Sequence, residues 1–137
     1  MIRFIAGEKG EGKTKRLLAL ANETAKTTDG NLVFIDHNRR YIHELHRDIR
    51  FVETTGYPLS NYREFVGFIC GILSMNTDIK EIFVDGLTKV VRDIDDESLV
   101  KLVAKLEKLS ATNELDFTIS MSYNMDNVSD EIKKLII

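Results

Sequence analysis

The stretch that decides the fold is Ile2-Arg3-Phe4-Ile5-Ala6-Gly7-Glu8-Lys9-Gly10-Glu11-Gly12-Lys13-Thr14-Lys15. Ile2 to Ala6 is short, apolar and β-rich, as a buried strand must be. Lys13 to Thr27 then puts Leu17, Leu18, Leu20 and Ala21 on one side of a helix. Three glycines stand between the two elements. A strand that turns sharply into a helix opens an α/β unit, and the next apolar run is expected to return parallel to the first.

Further along, short β-rich runs alternate with longer helical patterns. The expected strands are Ile2 to Ala6, Leu32 to Asp36, Arg50 to Thr54, Glu81 to Asp85 and Asp116 to Met121. Asn61 followed by Glu64 resembles a capping box and starts a helix that runs to about Met75, with Pro58 just outside it. Gly67 and Gly71, one turn apart, predict that this helix lies tight on the sheet. Leu99, Leu102, Val103, Leu106 and Leu109 mark one face of an amphipathic helix over Asp95 to Leu109. Glu131 to Ile137 reads as a short closing helix docked through Leu135, Ile136 and Ile137. The expected fold is a three-layer α/β domain, a mainly parallel five-stranded sheet flanked by helices, formed by residues 1–137 as one unit.

The bulk properties agree with one folded domain. A chain of 137 residues can bury about two-thirds of its unfolded surface. Its 43% hydrophobic and 30% charged content is ordinary for a globular protein. A net charge of -3 and a pI of 5.6 do not indicate nucleic acid, because sequence-independent binding to phosphate backbones needs a broad excess of Lys and Arg. The single cysteine, Cys70, falls in the apolar run Phe65 to Met75 and is expected in the core; with no second cysteine, a reducing compartment is the natural reading. The N-terminus lacks the pattern of a secretory signal, and Phe65 to Leu73 is too short to cross a bilayer, which takes about 20 residues. A cytoplasmic location without a membrane partner is expected.

Gly7, four residues, then Gly12-Lys13-Thr14 is the spacing of a phosphate-binding loop, or Walker A motif. It stands where such a loop must, after a strand and before a helix. Glycines at 7, 10 and 12 let the backbone turn successive N–H groups toward phosphate oxygens, and the helix start adds its positive dipole end. Lys13 is expected to reach the β- and γ-phosphates and the Thr14 hydroxyl to ligate magnesium. The expected nucleotide-binding set is Gly7, Glu8, Lys9, Gly10, Glu11, Gly12, Lys13, Thr14 and Lys15. One branch of such proteins carries a lysine directly after the first glycine. Glu8 holds that position here, so Lys9 is read as added positive charge only.

A phosphate loop needs an acid at the end of a neighbouring strand to hold the metal. Ile82-Phe83-Val84-Asp85 and Val33-Phe34-Ile35-Asp36 both end that way, and Asp85 is the preferred metal acid. With the loop, with Phe34-Ile35-Asp36 and with Phe83-Val84-Asp85-Gly86-Leu87, the chain resembles the RecA-like P-loop ATPases. The resemblance spans most of the chain. It implies an ATP and Mg²⁺ site, Lys13, Asp85 and Asp36 in catalytic roles, and a sensor strand at Phe117 to Ser122 with Ser120, Ser122 and Asn124 as the polar candidates. The group generally places a glutamate just beyond the second strand to activate water. Here the region reads Asp36-His37-Asn38, so that Asp36 or His37 is left as base, or hydrolysis is slow. The group's DNA-binding loops also have little room.

All three histidines and half of the arginines fall between His37 and Arg50. His43-Glu44-Leu45-His46 lacks the offset of a zinc protease motif, and a solvated basic helix is the plain reading. Arg39 or Arg40 is the candidate to touch phosphate or a nucleic acid, or to serve a neighbouring subunit as an arginine finger; a homo-oligomer or protein partner supplying an arginine is thus one expected arrangement. Asp93, Asp95, Asp96 and Glu97 read as capping of the helix behind them. The leading expectation is an ATP-binding protein with Mg²⁺ and weak or partner-dependent hydrolysis. The alternatives are a regulatory or scaffold module that uses ATP without turnover, and a small-molecule or nucleotide kinase. A kinase is disfavoured by the lack of a lid insertion, and GTP by the lack of a lysine in Asn124-Met125-Asp126.

Overall fold

Each expected apolar run becomes a strand: β1 (Ile2–Gly7), β2 (Asn31–Asp36), β3 (Ile49–Glu53), β4 (Ile79–Asp85) and β5 (Asp116–Ser122). The architecture comes from a computed structural model that describes residues 1–10, 12–124 and 127–137. The strands form one sheet in the order β1-β5-β4-β2-β3, and all pairs are parallel rather than mainly so. Parallel neighbours need long crossovers. These are supplied by α1 (Lys13–Thr27), α2 (Tyr62–Met75), the short α3 (Leu87–Val90) with α4 (Asp96–Asn113), and α5 (Asp130–Lys133) follows the last strand.

Alternation along the strands sends neighbours to opposite faces. Phe4, Val33, Ile35, Val84, Phe117 and Ile119 join Phe65 and Ile69 of α2 and Leu102 and Leu106 of α4 in the larger core. Ile5, Leu32, Phe34 and Phe83 meet Leu17, Leu18 and Ala21 of α1 on the other side. Phe83, Phe34 and Phe51 stand in one row across β4, β2 and β3, with ring centroids 6.4 Å apart at both steps. A one-residue slip of β2 would break both stacks and send its apolar set to the wrong face.

The helix starts follow their caps. The Asn61 side chain accepts from the Glu64 N–H at 3.0 Å, while the Glu64 carboxylate accepts from Ser60 N rather than from Asn61, a box displaced by one residue. Asp95 and Ser98 cap α4 reciprocally. That helix runs on to Asn113, past the expected Leu109, because its polar last turn still satisfies its backbone before Glu114 leaves it at φ 52°. No helix among the described residues is long and apolar enough to cross a membrane.

Four expectations fail locally. Leu135 to Ile137 are not helical: the Phe4 N–H donates to Leu135 O and the Ile137 N–H to Phe4 O, both at 2.9 Å, so these residues bond in parallel to the free edge of β1. Residues 37–48 hold only a 3₁₀ turn at Ile42–Glu44, since the Asn22 side chain takes up Glu44 O and His46 N. Cys70 is exposed, one residue beyond the inward-facing Ile69. Gly67 and Gly71 share that outer side, and a Cβ on either would meet nothing within 4 Å. Neither glycine serves packing against the sheet. Replacing Gly67 or Gly71 by Ala is therefore expected to stabilise the protein by about 0.5–1 kcal/mol each, because the helix keeps its contacts and the unfolded chain loses freedom. Urea midpoints check this, and a loss of stability in both variants would show that the outer side of α2 is in contact after all.

Candidate functional site

β1 leads into α1 on one face of the sheet, whereas β4 leads into α4 on the other. Connections that part in this way leave a crevice at the carboxyl ends of the strands. A cavity of about 580 Å³ lies there, walled by Lys9, Gly10 and Gly12 to Lys15 on one side, by His37, Asn38, Arg40, Tyr41 and Glu44 on another, and by Asp85, Gly86, Thr88, Lys89, Ser120 and Ser122 on the third.

The glycine-rich turn is built by two of its three glycines. Gly10 and Gly12 have φ of 90° and 78°, a left-handed region that residues with a Cβ rarely enter, and open space stands where a Cβ would be. Gly7 instead ends β1 in strand geometry, buried and in register with Ser122, and its carbonyl accepts from Tyr123 N at 3.0 Å. Glu8 is exposed and points no charge into the cavity wall, although its carbonyl accepts from the Lys13 ammonium at 2.5 Å. Glu11 lies outside the described residues. Gly12 is the N-cap of α1 and makes no side-chain cap, so the first N–H groups of the helix have no intrahelical partner.

Asp85 is held by two hydroxyls. The Thr14 hydroxyl stands 3.1 and 3.2 Å from its two oxygens, the Ser120 hydroxyl donates to Oδ1 at 2.8 Å, and the next N–H, of Gly86, donates to that same hydroxyl at 2.9 Å. The acid was expected on a strand neighbouring β1. It lies one strand further, because β5 stands between β1 and β4, and α1 crosses β5 to bring Thr14 to it. A hydroxyl and a carboxylate in contact at a cavity wall form a hard-oxygen donor pair, the type that suits Mg²⁺.

Asp36 closes β2 directly beside Asp85 in the register. It is 1% exposed and is not on the cavity wall. Its Oδ1 accepts from the N–H of His37 at 2.7 Å and stands 2.9 Å from His37 Nδ1, while Oδ2 is buried without a partner. Oδ1 already accepts from the backbone, so Nδ1 carries the ring proton and Nε2 accepts from the Asn38 amide at 3.0 Å. The Asn38 carbonyl in turn accepts from Arg40 N. His37 is 34% exposed and does line the cavity. Burial, and after it the Asp85 charge, push the Asp36 carboxyl above its ordinary range, against the pull of its bonds with His37.

The two arginines part company. Arg39 turns away to pair with Glu53 at 3.0 Å, whereas Arg40 lines the cavity with its guanidinium 5.3 Å from the centre of the Tyr41 ring. Among the sensor candidates, Ser120 is buried on Asp85, Ser122 lines the cavity and Asn124 is exposed at the end of β5. Thr88 and Lys89 complete the wall and were not anticipated. Their only signal in the sequence is a polar pair within the apolar Leu87 to Val91 just after Asp85-Gly86. Among the described residues, five Lys and Arg side chains face two acids on this wall, although the whole chain is negative. No family model and no curated protein matches the chain.

A carboxyl with a raised folded-state pKa adds stability that is complete below its unfolded value of 3.8 and is lost as pH rises through the folded value. In metal-free buffer, Asp36→Asn is therefore expected to match the wild type at low pH and to become the more stable protein as pH climbs from 3.8 toward neutrality. Thermal melts across pH test this; a gap between the two proteins that does not change with pH would refute it.

Proposed function

We propose that the chain binds ATP with Mg²⁺ in this cavity and hydrolyses it slowly. The observation that carries the reading is the contact between the Thr14 hydroxyl and the Asp85 carboxylate at the start of α1, across from the left-handed Gly10 and Gly12. The Gly7 to Thr14 spacing supplies the phosphate cradle, and the helix start and the lysines supply positive charge where phosphates would sit. In this reading the chain is a P-loop protein resembling the RecA-like group. Thr14 and Asp85 would hold the ion, which when bound neutralises charge on the β- and γ-phosphates. Lys13, bonded to its own loop at Glu8 O, would turn to those phosphates.

Hydrolysis needs a group to take the proton of the attacking water while the oxygen bonds to the terminal phosphorus and ADP leaves with the electron pair. His37 is favoured over Asp36, because the imidazole lines the cavity and the carboxylate stands behind it. Asp36 then acts as a positioning residue that fixes the Nδ1–H tautomer. Asn38 occupies Nε2 and must swing off before the base is free, which fits slow turnover. The same chain of bonds, from Asp36 through His37 and Asn38 to Arg40 N, supports a switch as the second reading, in which site occupancy is passed to residues 37–44 without phosphate release.

Lys13→Ala is expected to weaken Mg-ATP binding by about a hundredfold in calorimetry, since it removes a charge-assisted contact to phosphate. Retained affinity would sink the nucleotide reading. His37→Gln should leave ATP affinity in place and lower single-turnover hydrolysis by at least about a hundredfold, the usual scale of general-base catalysis. If its turnover equals the wild type's, His37 is not the base; if the wild type binds ATP tightly and releases no phosphate at all, the switch reading replaces the ATPase.

A further inference from the structure

Of the five cations on the cavity wall, Lys9, Lys13 and Lys15 belong to the glycine-rich turn and the start of α1, and Arg40 rests over Tyr41. Lys89 alone comes from the opposite side, after β4. Its N–H donates to Gly86 O at 2.8 Å, and Gly86 has φ 73°. The Lys89 side chain lies back over that residue, its Cδ, Cβ and Cγ 3.5, 3.7 and 3.8 Å from where a Gly86 Cβ would stand. Gly86 itself is fixed through the Ser120 hydroxyl to Asp85. The stem of Lys89 is thus set in place relative to the metal acid. Its ammonium has no ion pair among the described residues, although it faces a wall already rich in positive charge. Such crowding of like charges is unfavourable until an anion enters.

Resting on the nucleotide reading above, we propose that Lys89 is the chain's own cation for the terminal phosphate, in the role for which the sequence suggested an arginine from a partner. Lys13 approaches the phosphates from the loop side and Lys89 from the Asp85 side. As water oxygen bonds to the terminal phosphorus and the bond to the bridging oxygen breaks, negative charge grows on the bridging and equatorial oxygens. Lys89 keeps its proton throughout and donates a hydrogen bond to an equatorial oxygen, while the water proton goes to the base. The diphosphate product lacks the group that Lys89 holds. Lys89 therefore distinguishes ATP from ADP, and the site needs no second subunit to be complete.

The test uses the full chain with Mg²⁺, ADP and a non-hydrolysable ATP analogue in calorimetry, and ATP in single-turnover assays at several protein concentrations. Lys89→Ala is expected to weaken the analogue about tenfold and leave ADP within about twofold, as loss of one charge-assisted bond to phosphate would do. Single-turnover hydrolysis is expected to fall about a hundredfold, on the scale of a lost phosphoryl-charge donor, and Lys89→Arg should restore both. The wild-type rate constant should not depend on protein concentration. Parallel weakening of ADP and analogue, no change in either, or a rate constant that rises with protein concentration each overturns the assignment of Lys89 while leaving the nucleotide site intact. A wild type that binds neither nucleotide overturns the nucleotide reading, and Lys89 with it.

Discussion

The carboxylate of Asp85 is where three parts of the molecule are joined. α1 leaves β1 and has to pass over β5 before it reaches β4, so nothing in the sheet ladder itself fixes where its first turn comes down. The Thr14 hydroxyl on Asp85 does so, and the Ser120 hydroxyl ties the same carboxylate to β5 and to the Gly86 N–H. Asp85 is 5% exposed, and a buried carboxylate needs such donors, each worth about 1.5–3 kcal/mol when the acceptor is charged. Together with the packing of Leu17, Leu18 and Ala21 on the sheet, these bonds fix the start of α1 relative to the turn that carries Lys89. A single acid thereby links fold to site, and a substitution there disturbs packing and chemistry together.

How much of this was legible follows from which signals are local. Short β-rich apolar runs at Ile2 to Ala6, Leu32 to Asp36 and Glu81 to Asp85 sufficed to find strands, and Asn61 and Asp95 marked their helix starts, because such signals act over a few residues. Strand order is a different matter. Leu32 to Ile35 and Ile82 to Val84 are apolar on both faces, as parallel buried strands are, and neither they nor the mixed run Asp116 to Ser122 says that β5 inserts between β1 and β4. Gly67, Cys70 and Gly71 misled because an apolar run does not say which side of its helix faces in; Tyr62, Phe65, Ile69 and Leu73 fill the buried stripe and these three stand outside it. The basic segment after β2 looked helical until side chains such as Asn22 and Asn38 took up its backbone groups. Lys89 could not be placed from sequence, since its reach into the cavity depends on the left-handed turn at Gly86.

Net charge is a sum over the whole chain and says little about any one wall. The chain carries -3 overall, yet its acids concentrate elsewhere, as at Asp95, Asp96 and Glu97 around the first turn of α4, where they complement that helix. The carboxyl ends of the strands are left positive. A concave wall of low dielectric focuses such a field, so a local excess of a few charges governs which ligand enters while the sum governs only solubility and long-range encounter.

The pairing of Asp36 with Asp85 has a further consequence for when the proposed base can work. Burial, and after it the repulsion from a second carboxylate closing the adjacent strand in register, holds Asp36 toward its protonated form. A neutral Asp36 gives His37 less help in accepting a proton, since an ionised carboxylate at Nδ1 is what stabilises an imidazolium. In the proposed reading, positive charge brought against Asp85 offsets the repulsion and favours ionisation of Asp36, the form that best holds the His37 Nδ1–H. A glutamate standing alone in the cavity would lack this coupling, because its charge would not depend on a neighbour one strand away.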